Sequence, residues 1–161
     1  MTKIDGSLRS LFRANIPHFD WTSIESGGTG RGIPDSNFCS NGTEGWIEYK
    51  QTTGHAVTLM PEQIGWIARR CRAGGRVWIA VRQRAIAGPR REARDILWLI
   101  PGCDAIQAKT EGLRNDRPGW LNWYNGPLHW NWNEIANHLT DNRANIIILR
   151  PRRKSPPASP L

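Results

Sequence analysis

GIPDSNFCSNGTEGWIEYK, residues 32–50, decides the fold. Asn41-Gly42 is the strongest short signal for a two-residue type I′ hairpin, because both central residues need φ > 0 and Asn and Gly tolerate it best. If these two form the whole loop, Ser40 faces Thr43. Stepping outward then pairs Cys39 with Glu44, Asn37 with Trp46 and Asp35 with Glu48. One acid sits on each strand, at equal distance from the turn.

Residues directly opposite on an antiparallel pair project from one face, with Cβ atoms about 4.5–5.5 Å apart. Two carboxylates so placed repel unless something cationic lies between them. Side chains alternate along a strand, so Lys50 joins Asp35 and Glu48 while Ile47 and Tyr49 point to the opposite face. The expectation is a hairpin with one charged face and one core face. A longer loop built from the turn formers of 40–45 would stagger the acids by two residues and keep the faces. Taken alone, such a trio also suits a solvated surface hairpin, and the surrounding sequence has to separate the two readings.

Around this hairpin the chain reads as one α/β unit. Residues 7–15 carry Leu8, Leu11 and Phe12 at helical spacing, and 18–24 suit a strand. The glycine-rich SGGTGRG forms a loop into Pro34-Asp35. QTTGHAVTL is another loop, and Pro61 opens a helix to about Cys71 that Gly74-Gly75 stops. RVWIAVRQ and DILWLIPG are nearly continuous apolar strands, so strand, helix and strand make a crossover unit in a mixed sheet. Beyond 105 the pattern weakens to a short helix over 133–139 and a last strand over 145–149.

The motifs resemble those of the PD-(D/E)xK nuclease superfamily. Pro34-Asp35, then Glu48-Tyr49-Lys50, then Gln63 in MPEQIGWIARRCRAGG stand in its order over about residues 20–83. The likeness is strongest to virus-type replication-repair nucleases (VRR-NUC) and archaeal-type Holliday junction resolvases, particularly small phage proteins of that kind. It implies a restriction-endonuclease-like core over 1–149, a mixed central sheet flanked by helices, and metal-dependent hydrolysis of DNA phosphodiesters. Branched, junction or flap DNA is the implied substrate, in phage-type replication, recombination or repair. A homodimer is compatible with it.

Phosphodiester hydrolysis needs an activated water and neutralisation of the charge growing on phosphate, and a carboxylate-held divalent ion supplies both. Asp35 and Glu48 are hard oxygen ligands suited to Mg²⁺ or Mn²⁺, and the Tyr49 backbone carbonyl is a further candidate. Lys50 is the residue to orient water or meet the phosphorane's charge. Glu25 is either a third ligand or a solvated loop acid. The superfamily often places an acid on the first helix, where this chain has only Asp5 nearby. Gln63 either bonds the site or caps its helix. His55 reads as a loop residue, since metal-activated water needs no histidine.

Charge supports the same partner. The 161 residues hold 22 Lys plus Arg against 14 Asp plus Glu, a formal +8, and most of the cations are Arg, whose planar fork suits phosphate. Arg31, Arg69, Arg70, Arg72 and Arg76 are candidate DNA contacts. So are Arg150, Arg152, Arg153 and Lys154 in a basic, proline-rich tail over 150–161 that reads as disordered. Four of the nine tryptophans crowd between Trp120 and Trp132, either as core or as a surface on which bases stack.

Three scattered cysteines support neither a zinc knuckle nor a disulfide framework, which points to a reduced, cytoplasmic setting, that of a host cell if phage-encoded. No stretch has the length of a signal core or a membrane span. Two alternatives stand beside the structure-selective nuclease. One is a sequence-specific restriction-type enzyme, against which the lack of an evident target-recognition domain speaks. The other is a nuclease-fold protein that binds nucleic acid without cutting, against which the intact Asp35, Glu48 and Lys50 speak.

Overall fold

A computed structural model describes residues 5, 7–24, 30–90 and 92–141. Asn41 and Gly42 take φ of 48° and 75°, the two left-handed values a type I′ turn requires. They join β2 (Ser36–Ser40) to β3 (Thr43–Thr52) in the register read from the sequence, with Ser40 opposite Thr43 and Asn37 opposite Trp46. β1 (Asp20–Ser23) pairs antiparallel on the outer side of β2.

After β3 the chain crosses through α2 (Pro61–Arg72) to β4 (Val77–Ala85), which runs parallel to β3. Pro61 occupies the first helical position, where a missing N–H costs nothing. At the other end Gly74 adopts φ 82°, and the Gly74 and Gly75 N–H groups donate to the Cys71 and Arg70 carbonyls. Among the described residues, β5 (Arg94–Pro101) and β6 (Leu121–Trp123) complete a six-stranded mixed sheet in chain order, in which only the β3 and β4 pair is parallel. The fold is α/β, with helices on both faces of the sheet.

α1 (Leu8–Asn15) and α4 (Trp132–Thr140) cover one face with Leu8, Phe12, Ile135 and Leu139, which meet Ile47, Tyr49, Ala80 and Leu99. α2 and α3 (Ala105–Glu111) cover the other, where Ile67 and Ala108 meet Ile79, Val81 and Ile100. The expectation of one charged and one apolar hairpin face is corrected here. Tyr49 and Ile47 lie in the first core as read, but Glu48 points to a face that α2 also seals, and it is only 1% exposed. β3 is central in the sheet, so both of its sides are buried.

α3 and β6 were not legible in the sequence. The 133–139 helix is present as α4, while the strand expected over 145–149, the 150–161 tail and Glu25 lie outside the described residues. The tryptophan cluster is core: Trp120, Trp123 and Trp130 are buried and Trp132 packs against the first cluster. The Trp120 indole donates to Asp104 and that of Trp123 to Glu134. Among the described residues no helix is long and apolar enough to cross a membrane.

Candidate active site

Asp35 stands one step beyond the last β2–β3 pair, Ser36 with Ile47, and thus at the level of Glu48. Its backbone carbonyl accepts from the Ile24 N–H at 2.9 Å, which fixes the loop to the end of β1. Gly32 holds the same loop against α2. It has φ 86°, and a Cβ there would fall 2.2 Å from the Glu62 carbonyl oxygen, so only glycine lets this backbone lie on the first turn of the helix. One close approach therefore brings the Asp35 loop and the turn bearing Gln63 together.

The side chains form one connected network. The Tyr49 N–H donates to Asp35 Oδ2 at 2.8 Å, which leaves the carboxylate leaning on β3. Lys50 Nζ is 2.8 Å from Glu48 Oε1 and donates to Gln63 Oε1 at 3.1 Å. Gln63 Nε2 donates to Glu48 Oε1, while its Oε1 also accepts from the Met60 N–H at 3.0 Å. Gln63 thus ties down the open start of α2 and hydrogen-bonds the side chains of Glu48 and Lys50.

Glu48 is under electrostatic tension. Burial above all, then the Asp35 charge, push its carboxyl up to about 7, although the Lys50 ammonium pulls it back. Its Oε2 is buried and has no hydrogen-bond partner among the described residues. A buried acceptor without a donor is costly, and beside a second carboxylate it is the kind of atom a hard cation completes. Carboxylate oxygens are hard donors, which suit Mg²⁺ or Mn²⁺ better than a soft metal. No third Asp, Glu, His or Cys joins the pair among the described residues.

Sequence reading missed Arg9. From α1 its Nη2 reaches Asp35 Oδ1 at 3.2 Å, with both side chains about one-third exposed. The signal available was its place beside Leu8 and Phe12, which bury α1 and leave Arg9 at the margin of that apolar face. Only the tertiary fold shows that this margin abuts Asp35.

The other expected residues are more scattered. Tyr49 contributes its backbone, while its ring is buried against Phe12. His55 is exposed in the loop after β3. Arg31 is exposed beside Gly32, and Arg69, Arg70 and Arg72 are exposed on the last turns of α2. Arg70 lies over the Trp46 and Trp66 rings at 5.7 and 5.9 Å. Arg76 departs from the expected surface role. It is 6% exposed, and its Nη1 donates to the Leu139 and Asp141 carbonyls at 3.1 and 2.9 Å, so it satisfies the C-terminal end of α4. Arg152 and Arg153 lie outside the described residues.

No protein-family model matches the chain, and no curated protein matches it. Among solved structures it is similar to Hjc, a Holliday junction resolvase from the archaeal hyperthermophile Archaeoglobus fulgidus. The likeness is 18% in identity with a TM-score of 0.46, over 84% of this chain and 99% of that one.

Proposed function

We propose that the protein is a divalent-metal-dependent DNA endonuclease of the PD-(D/E)xK kind, selective for branched DNA. The observation that carries this reading is Glu48. A buried carboxylate with one oxygen lacking a donor, level with Asp35 and 2.8 Å from Lys50, is unfavourable in a purely structural role. Asp35 and Glu48 would hold Mg²⁺ or Mn²⁺, with the Tyr49 carbonyl and Glu25 as further candidate ligands. The ion would supply Lewis acidity toward the phosphate and acidify water.

The chain's own residues supply the remaining parts. Gln63 holds Lys50, so the ammonium is oriented before substrate arrives and can meet charge that develops on the phosphate oxygens. The Tyr49 N–H fixes the Asp35 carboxylate. Arg31, Arg69, Arg70 and Arg72 are proposed phosphate contacts, which a formal charge of +8 favours. Arg152 and Arg153 are proposed to add salt-sensitive affinity through the tail.

A panel of four-way junction, flap, single-stranded and linear duplex DNA, incubated with Mg²⁺, Mn²⁺ or EDTA, tests the reading. Cleavage of branched DNA with either metal and none in EDTA is expected. Failure to cut any member of the panel with either metal would overturn it.

A further inference from the structure

The sheet extends well past the carboxylates at one end. Glu48 is level with Ile79, and β4 continues to Ala85, about 20 Å further at a rise of ~3.3 Å per residue. β1 and β2 stop short at this end, at Ser23 and Ser36. The sheet is therefore stepped: β1 and β2 end near the level of Asp35 and Glu48, β3 runs on to Thr52 opposite Gln83, and the joined ends of β4 and β5 reach further still, to Ala85 and Arg94.

What this arm exposes is unusual. Ile86, directly after β4, is 77% exposed. Arg84 is 3.8 Å from Asp95, whose carboxylate Arg82 already grips through hydrogen bonds of 2.8 and 2.6 Å. Arg90 is exposed and Arg94 partly so. β6 runs antiparallel to β5 and ends opposite Leu97, so the following turn emerges at the same end. The Gly126 N–H donates to the Asp95 carbonyl at 2.8 Å and holds that turn against the start of β5. It presents Tyr124 at 48% exposure and Leu128 at 96%.

Single exposed apolar residues are ordinary, but here two aliphatic side chains and a tyrosine share one sheet end with three arginines. Phosphate would satisfy the arginines. The apolar groups gain only where bases are unstacked and uncovered, which an intact duplex does not offer and a branch point does.

Resting on the nuclease reading, we infer that this end of the sheet is a second nucleic-acid contact that engages the branch point of the DNA whose strand lies at Asp35 and Glu48. Arg84, Arg90 and Arg94 hold phosphates. Ile86 and Leu128 wedge against unpaired bases, and Tyr124 stacks on one.

The test is binding by the full chain in EDTA, to a four-way junction and to a linear duplex, with 2-aminopurine at the branch point. The wild type should brighten the 2-aminopurine. Ile86→Ser with Leu128→Ser should lose about tenfold in affinity for the junction alone, lose the brightening and keep the salt slope. Arg84→Ala with Arg90→Ala should make the slope of log affinity against log salt shallower by about 1.8 on both DNAs, at ~0.9 per phosphate contact. Equal losses of the apolar variant on both DNAs, or unchanged binding in both variants, would overturn the contact while Mg²⁺-dependent cleavage still upheld the nuclease. Binding with these signatures by a wild type that cuts nothing would uphold the contact and remove the nuclease.

Discussion

Lys50 Nζ donates to Gln63 Oε1 at 3.1 Å, so the strand that carries the candidate catalytic lysine and the first turn of α2 are a single hydrogen-bonded unit. Gln63→Ala should act on two scales at once. Losing the cap to the Met60 N–H should cost about 1 kcal/mol of stability, and a loosened Lys50 should lower kcat about tenfold. Lys50→Ala should lower kcat by ~10²–10³ while leaving Mg²⁺ affinity within a few-fold, since on the proposed reading its charge acts chiefly in the transition state. Single-turnover cleavage and calorimetric Mg²⁺ titration separate these effects. A loss of metal affinity as large as the loss in rate would instead make the lysine a clamp for the acids.

Glu48 makes the metal-free protein pH-sensitive. Its folded pKa is raised from 4.5 to about 7, so folded protein binds this proton more tightly than unfolded chain. The stability gained is complete below pH 4.5 and is lost as pH rises through 7, in all about 3 kcal/mol at ~1.4 kcal/mol per pKa unit. Urea midpoints in EDTA should therefore fall between pH 5 and pH 8, and Glu48→Gln should flatten most of that fall. Mg²⁺, which favours the ionised carboxylate, should stabilise the wild type more at pH 8 than at pH 5. An identical pH dependence in wild type and Glu48→Gln would contradict the assignment.

Local chemistry made the hairpin readable. Asn41-Gly42 specifies its own turn geometry, and alternation then places Glu48 and Lys50 on one face and Tyr49 on the other. Pro61 and Gly74-Gly75 likewise mark the ends of α2 because backbone constraints act within a few residues. Arg9, Arg76 and the buried state of Glu48 depend on contacts 26, 63 and 15 residues away in the chain, to Asp35, Leu139 and Gln63, and no local pattern encodes those. α3 and β6 escaped for a related reason: they are short, and burial of Ala105, Ala108 and Trp123 by neighbouring elements, rather than periodicity, holds them in place.

Gly32 offers a backbone test of how the site is assembled. Gly32→Ala forces a Cβ into the Glu62 carbonyl from a left-handed φ, so the Asp35 loop must lift off α2. Stability should drop by about 1–3 kcal/mol. Mg²⁺ affinity should fall as Asp35 moves, and Gly65→Ala, where a Cβ meets nothing, should leave that affinity unchanged. Calorimetric titration of both variants decides it, and unchanged affinity in Gly32→Ala would show that the close approach does not set the position of Asp35.

On the proposed nuclease reading, Arg9 would compete with a metal for the Asp35 carboxylate, because its guanidinium already holds Oδ1. Arg9→Ala should tighten Mg²⁺ binding several-fold in the absence of DNA, as removal of a neighbouring positive charge lowers the cost of bringing in another. Weaker Mg²⁺ binding in this variant would mean that the arginine serves to orient Asp35 rather than to oppose the ion.

The paired carboxylates are most directly tested by Asp35→Asn and Glu48→Gln, which remove ligand charge while keeping volume. Each variant is compared with wild type for junction cleavage in Mg²⁺ and for junction binding in EDTA. Cleavage should fall at least ~10²-fold in both variants, with DNA affinity retained to within a few-fold. Wild-type cleavage rates in either variant would contradict a catalytic role for the pair.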